Sequence, residues 1–445
     1  MTIKTAMARK GAMLAAAGFS ALAMAGQAHA AAFYLQEQSV RAIGRAFSGE
    51  VADTGSASMW WNPAAIGGAT GIDGYLGASA ILPRADSSDR GTMVVRPNPA
   101  DPAHPIVSPV GGDPNQHNPI NNGVLPSGGF AIPIGSRLAV GVVATSPYSF
   151  TTDYDADSWA RYDADKTRLR TYDIQPTIAI MPVPGLSIGA GVNIERTTAT
   201  LSNKLPDPIS AQLPDAEQTL RGSGWDVGWS FGFQYRGPVV DLGVSYKSAI
   251  RHKLKGSFVI AGNQNPVLAS QINQSIDGIH ASFRTPWQVN VGARVHASDR
   301  LTIDGQITRF GWSRFDQISL PDLGSALPED YKNTWSYALG LDYAVTPQWT
   351  MRAGVQRDLS PIRSGYRDPR VPDGNRWNFA LGTSYALSPH FTIDAAASYD
   401  KIASNPIDRN NAAYVGTPLQ TVILTSGELH NAKAFVFGLG GRVSF

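Results

Sequence analysis

Amphipathic strand-like runs in this chain are joined alternately by tight turns and by long polar loops. In the second half, 279–297 meets 300–319 at Ala297-Ser298-Asp299, 332–346 meets 348–359 at Thr346-Pro347-Gln348, and 375–388 meets 390–403 at Ser388-Pro389-His390. Between and after these pairs lie loops at 320–331, 360–374 and 404–429, and the last run ends at Phe445. A soluble sandwich has no reason to collect its short turns at one end. A transmembrane β-barrel does, because one rim carries short turns and the other long external loops.

The alternation extends over about fourteen strands from Gly71 onward, an even number as in bacterial single-chain barrels. The first seven are 71–83, 127–134, 136–150, 167–182, 185–203, 219–236 and 239–260, and the last is 430–445. Within a strand, side chains alternate faces with period 2. Trp225, Val227, Trp229, Phe231, Phe233 and Tyr235 share one face against Asp226, Gly228, Ser230, Gly232 and Gln234. A charge facing the bilayer midplane costs ~2–4 kcal/mol, so the apolar set faces lipid and the small or polar set lines the lumen. Aromatics at strand ends, Trp287, Trp312, Trp349 and Trp377, are expected in the interfacial girdles. The fold class is therefore all-β, a transmembrane antiparallel barrel in the bacterial outer membrane.

Residues 1–30 carry a secretion signal: Lys4, Arg9 and Lys10, then an apolar stretch from Gly11 to Ala25, then Ala28-His29-Ala30. The mature chain is expected to start at Ala31. Mean hydropathy is −0.14, and no later run has the length of a membrane-spanning helix. With no cysteine there are no disulfides and no thiolate metal sites. A net charge of +2 without a basic run gives no ground for nucleic-acid binding. Neither a Gly-x-Ser-x-Gly elbow nor a His-Glu-x-x-His pair is present, so an enzyme is not expected. No cofactor and no metal is expected either.

Residues 31–70 contain no good strand and read as a folded piece ahead of the barrel, 71–445. This piece contains Phe33, Leu35 and Glu37, then Gly44-Arg45-Ala46, Ser48-Gly49-Glu50, Ala52-Asp53 and Asn62-Pro63-Ala64. In that order, behind a signal and before a barrel, it resembles the start of the FadL family of outer-membrane transporters for long-chain fatty acids and other hydrophobic compounds. SPYSFTTDY at 146–154, YKNTWSYALGLDY at 331–343 and RDPRVPDGNRW at 367–377 continue the resemblance in family order. Trp159 is followed directly by Ala-Arg-Tyr, a residue tighter than a common family pattern, and the Pro-rich loop 84–126 looks like an insertion.

The resemblance implies a hatch formed by 31–70 inside the lumen, with Gly44, Arg45, Asn62, Pro63 and Ala64 as its signature. It also implies ligand capture at external loops, a pocket near the mature N-terminus, and lateral release through the wall at a kinked third strand. Pro147 lies in that strand and cannot donate a ladder hydrogen bond, which fits a local opening or an ordinary strand end. Phe33 and Leu35 are candidates for ligand contact or for plain hatch packing. Lys332, Arg352 and Arg376 share the lumen parity and could hold a carboxylate head group. Asp342, Asp358 and Asp394 share that face, so an ion-pair network is the competing reading. In 266–277 a short amphipathic helix is expected, with Leu268 and Ile272 beside Val267 and Ile276, as a capture surface or as loop packing.

The implied partners are a fatty acid, alkane or aromatic hydrocarbon as ligand, outer-membrane lipid and lipopolysaccharide around the wall, and barrel-assembly machinery reading the strand that ends in Phe445. A monomer is expected. The alternative is a diffusion porin for small polar solutes, in which 31–70 would have no task.

Overall fold

A computed structural model describes residues 32–445; the expected signal at 1–30 lies outside the described residues. One antiparallel sheet closes on itself. Its fourteen strands are β1 (Asp73–Asp89), β2 (Gly123–Ile134), β3 (Leu138–Thr145 and Ser149–Asp153), β4 (Lys166–Val183), β5 (Leu186–Leu205), β6 (Ala216–Arg236) and β7 (Val240–Lys247 and Arg251–Ala261). They continue as β8 (Gln274–Arg284 and Gln288–His296), β9 (Leu301–Phe310), β10 (Thr334–Ala344), β11 (Trp349–Asp358), β12 (Arg376–Ser388), β13 (Phe391–Ile402) and β14 (Gly427–Ser444). β1 pairs with β14 from Asp73↔Ser444 upward, which leaves the sheet without a free edge.

The expected faces are seen directly. On β6, Trp225 and Val227 are 60% and 66% exposed, whereas Ser230 and Gln234 on the other parity are buried. Exposed apolar bands of this kind recur on β8 to β14 and suit a wall bathed in hydrocarbon. Trp349 and Trp377 are exposed on the outer wall as expected for a girdle, but Trp312 is not. The chain leaves β9 at Phe310 and turns inward through a 3-10 turn, Trp312–Arg314, which buries that indole completely.

Residues 32–53 are all buried, and the segment ahead of β1 touches strands on every side of the barrel. Its helix α1 (Val40–Ile43), N-capped by the Ser39 side chain, rests on β12 and β13. A 3-10 turn at Glu50–Ala52 rests on β7 and β8, and another at Pro63–Ile66 rests on β4, β5 and β6. Contacts on opposing walls place the segment in the lumen. Lumen-facing glycines make the room: a Cβ on Gly382 would lie 2.6 Å from the Gly44 Cα, and one on Gly189 would lie 2.3 Å from the Pro63 carbonyl carbon.

Outside, the Pro-rich loop departs from expectation in two ways. β1 runs on to Asp89, and a separate four-stranded sheet forms in the order Asn410–Ala413, Thr421–Leu424, Met93–Arg96, Ile106–Pro109. The helix expected over 266–277 is a single turn, α2 (Ala269–Ile272), because β8 already begins at Gln274. Leu268 and Ile272 are buried in an apolar cluster of the external loops with Trp159, Phe258 and Ile423.

Candidate ligand pocket and wall gap

The third strand breaks at Ser146-Pro147-Tyr148. From Thr145↔Asp173 to Ser149↔Arg170, β3 advances four residues while β4 advances three, so one extra residue is accommodated there. On its other side the ladder to β2 stops at Gly128↔Ala144. Above it, Gly123–Ser127 of β2 pair only with β1. Backbone pairing between β2 and β3 is therefore interrupted beside Pro147 and returns only at the Ile120↔Thr152 bridge; β7 and β8 have breaks of their own at 248–250 and 285–287.

The N-terminal segment is laced to this break. The Leu35 amide donates to the Pro147 carbonyl at 2.8 Å, and the Ser149 amide to the Phe33 carbonyl at 3.1 Å. The Gln38 side chain donates to the Ser146 carbonyl at 3.1 Å and accepts from its amide at 3.2 Å. Pro147 thus sits at the break with its carbonyl serving the hatch rather than the wall.

Phe33 lies against Tyr148, Phe150, Trp312 and Phe315, with ring centroids 5.0 to 6.0 Å away. Above this aromatic group is a cavity with about 780 Å³ of empty space, counting its open mouth. Phe33, Phe150, Leu169, Leu220, Phe283 and Phe315 are among the side chains of its wall. These come from the hatch and from strands or loops far apart in sequence. An apolar chamber with a few polar groups at one side is the usual form of a site for a hydrophobic ligand.

The charged groups are Glu329, Asp368 and Arg370 from external loops, with Arg168 of β4 and Arg221 of β6. Arg409 pairs with Asp368 and lies 3.6 Å from Glu329. Burial, and then Asp368, push the Glu329 carboxyl up to about 8, against the opposing pull of Arg409. Arg370 instead donates to Asn203 at 3.1 Å, the Ser202 carbonyl at 3.3 Å and Thr167 at 3.4 Å. It has no ion pair among the described residues. Burial lowers its pKa, yet a guanidinium keeps its charge.

The other candidates are distributed differently. Leu35 is fully buried against β3 and is not part of the cavity wall. Arg352 pairs with Asp342 at 3.2 Å, and Arg376 with Asp373 and, at 3.9 Å, Asp358. Lys332 is not on the lumen face: β10 starts only at Thr334, so the parity does not reach it, and its side chain is exposed. Leu268 and Ile272 lie in the external cluster and not in this wall.

Arg45 is completely buried and binds Glu50, Asp53 and, at 3.2 Å, Asp342; Arg294 of β8 bridges Asp53 at 3.0 Å and Asp342 at 3.1 Å. Asn62 caps the turn begun by Pro63, accepting from the Ala64 amide at 3.0 Å, and donates to the Val51 and Phe233 carbonyls. The signature residues thereby tie the hatch to opposite walls. Arg370, Phe150 and Phe315 were not singled out in the sequence, although RDPRVPDGNRW contains the first and SPYSF the second.

A closed fourteen-stranded barrel with a lumen-filling N-terminal segment defines a plugged transport barrel of the outer membrane. Residues 21–445 match the family model described as outer membrane protein transport protein (OMPP1/FadL/TodX), and the chain belongs to this family. It is 26% identical to a long-chain fatty acid transport protein of Escherichia coli over 84% of this chain and 87% of that protein. Outer membrane protein P1 of Haemophilus influenzae is 24% identical over 80% of this chain and 82% of its own length. A crystal structure of a Pseudomonas aeruginosa FadL homologue superposes with a TM-score of 0.77 at 25% identity, covering 93% of this chain and all of that one. The Pseudomonas putida toluene transporter TodX, at 13% identity and a TM-score of 0.56 over 89% of this chain and 94% of its own, shares the fold.

Proposed function

We propose that this protein is a passive channel for long-chain fatty acids or related hydrophobic compounds. Ligand is captured among the external loops, held in the chamber over Phe33, and released sideways through the wall beside Pro147. The observation that carries this reading is the direct link between chamber and gap. Phe33 is at once a wall of the cavity and a hydrogen-bonding partner of Ser149, just past the strand break. A ligand entering the chamber competes for the space Phe33 occupies, and displacing Phe33 loosens the segment laced to β3. A hydrophobic ligand leaving through the gap enters hydrocarbon directly and never has to cross the filled lumen. The relatives named for fatty acid transport support the substrate class.

Uptake into vesicles tests it with two probes, a labelled long-chain fatty acid and a small sugar. The intact protein should admit the acid and exclude the sugar. Deleting Pro147, which restores equal residue numbers on β3 and β4, should abolish release, with binding weakened by loss of the Leu35 acceptor but still measurable. Sugar flux through the intact protein without fatty-acid flux would overturn the reading, and full fatty-acid flux in the Pro147 deletion would remove lateral release from it.

A further inference from the structure

On the outer wall, register places cations side by side. Arg84 of β1 lies opposite Lys433 of β14, and Lys433 lies opposite Lys401 of β13. Lys401 lies opposite Trp377 of β12, and Trp377 opposite Arg357 of β11, whose guanidinium covers its ring at 5.1 Å. Arg84, Lys401 and Lys433 are exposed on the lipid-facing parity, and none of them has an ion pair among the described residues. Directly paired residues on antiparallel strands are only ~4.5–5.5 Å apart at Cα. Three like charges in such a row destabilise the sheet unless an anion lies over them.

The surroundings say which anion. Two residues nearer the periplasm, in the same register, is an apolar row of Leu82, Phe435, Tyr399, Phe379 and Val355. Immediately outward are polar loops, where Asn122 accepts from Arg84 at 2.7 Å and Asp86 is engaged by Asn431 and His117, each at 2.9 Å. The cations stand on the line where hydrocarbon ends and the external loops begin. Their long stems can lie along the apolar row while their heads reach the phosphate level of the outer leaflet.

We propose that Arg84, Lys401 and Lys433, flanked by Arg357, form a binding site on the barrel's outer wall for a phosphorylated lipid of the outer leaflet. The phosphate sits over the three cations in charge-assisted hydrogen bonds and the acyl chains lie on the apolar row beneath. The site rests on the outer-membrane location established above and is separate from the ligand chamber.

The test uses folded, detergent-solubilised full-length mature protein and native mass spectrometry, with two probes: diphosphorylated lipid A, and the same lipid with its phosphates removed. The wild type should retain the phosphorylated lipid about tenfold more tightly than the dephosphorylated one. The combined Arg84→Gln, Lys401→Gln, Lys433→Gln variant should lose that preference, and Lys401→Arg with Lys433→Arg should keep it. Arg137→Gln with Arg300→Gln removes two charges at the opposite rim and should also keep it. Heat-modifiable gel mobility checks that each variant is folded, and the charge-preserving pair tests the same positions if the triple variant is not. Equal retention of both lipids by the wild type would overturn the proposal. So would a preference surviving in the folded triple variant, or one lost equally in the opposite-rim control. Displacement of the lipid by equimolar inorganic phosphate would mark a site for free anions and also overturn it.

Discussion

The amide of Leu35 donates to the carbonyl of Pro147 at 2.8 Å, so the hatch is hydrogen-bonded to the one residue of β3 that cannot donate to a neighbouring strand. Proline supplies a free carbonyl at the break, and the N-terminal segment uses it. Residues 33–35 thereby form an isolated antiparallel bridge on the inner side of the gap, with Tyr34 opposite Tyr148.

Leu35→Pro removes that donor while preserving an apolar side chain. A lost buried hydrogen bond costs about 1–3 kcal/mol, enough to free residues 33–35 from β3 without unfolding the barrel. Phe33 then no longer closes the chamber. Affinity for a long-chain acid, read by tryptophan quenching, should fall by about tenfold or more. Unchanged affinity would dissociate the Leu35–Pro147 link from the chamber.

Arg45 holds the hatch by charge. Arg45→Met leaves Glu50 and Asp53 short of a buried partner, and breaking a buried pair in this way costs about 3–5 kcal/mol. Arg41 and Arg294 remain near Asp53, so the barrel should still assemble. The expected outcome is a hatch released from the lumen, seen as new conductance in planar bilayers and as protease cleavage within 32–70. A silent, protease-resistant variant would show that packing against the lumen glycines suffices.

The barrel was legible in the sequence because period 2 is written separately into every strand; Trp225, Val227 and Trp229 announce the lipid face of β6 without any partner. The kink of the third strand came from the family resemblance, because Pro147 by itself fits a strand end equally well. The chamber was not legible. Phe150, Leu169, Phe283 and Phe315 converge only when the sheet closes, and each by itself is an ordinary apolar residue. The lumen parity fails for Lys332 because β10 begins only at Thr334. Trp312 reads as a girdle aromatic from its position at a strand end, but its chain turns inward. Arg376 and Arg352 carried the expected charge for a head group and proved to be occupied by Asp373 and Asp342.

Glu329 makes the chamber sensitive to pH. Its carboxyl, raised to about 8, is neutral at pH 7 and charged above that value. In the unfolded chain it ionises near its ordinary value of 4.5. The unfolded state thus binds fewer protons between these two values, and stability falls as pH rises through the window and levels off above it. Ionised Glu329 also faces any carboxylate in the chamber. Raising the pH from about 7 to about 9 should weaken binding of a fatty acid by roughly tenfold, the scale of one like-charge contact. A fatty alcohol should show little change, and Glu329→Gln should flatten the profile for the acid. Parallel profiles for acid and alcohol would exclude Glu329 as the cause.

Arg370 is the chamber cation contributed by the external loops, beside Arg168 and Arg221 of the strands. Arg352 and Arg376 already hold carboxylates, whereas Arg370 spends its donors on Thr167, Asn203 and the Ser202 carbonyl. These are neutral acceptors, and a carboxylate entering the chamber offers a stronger one. A hydrogen bond to a charged group is worth about 1.5–3 kcal/mol, which corresponds to roughly ten- to a hundredfold in affinity. Arg370→Gln should therefore weaken a long-chain fatty acid by that factor and leave the matching alcohol within about twofold. The alcohol also guards against a trivial loss of the loop, because a disordered 367–373 would weaken both ligands together. If Arg370→Gln binds acid and alcohol as the parent does, the chamber recognises chain length alone and the head group lies elsewhere.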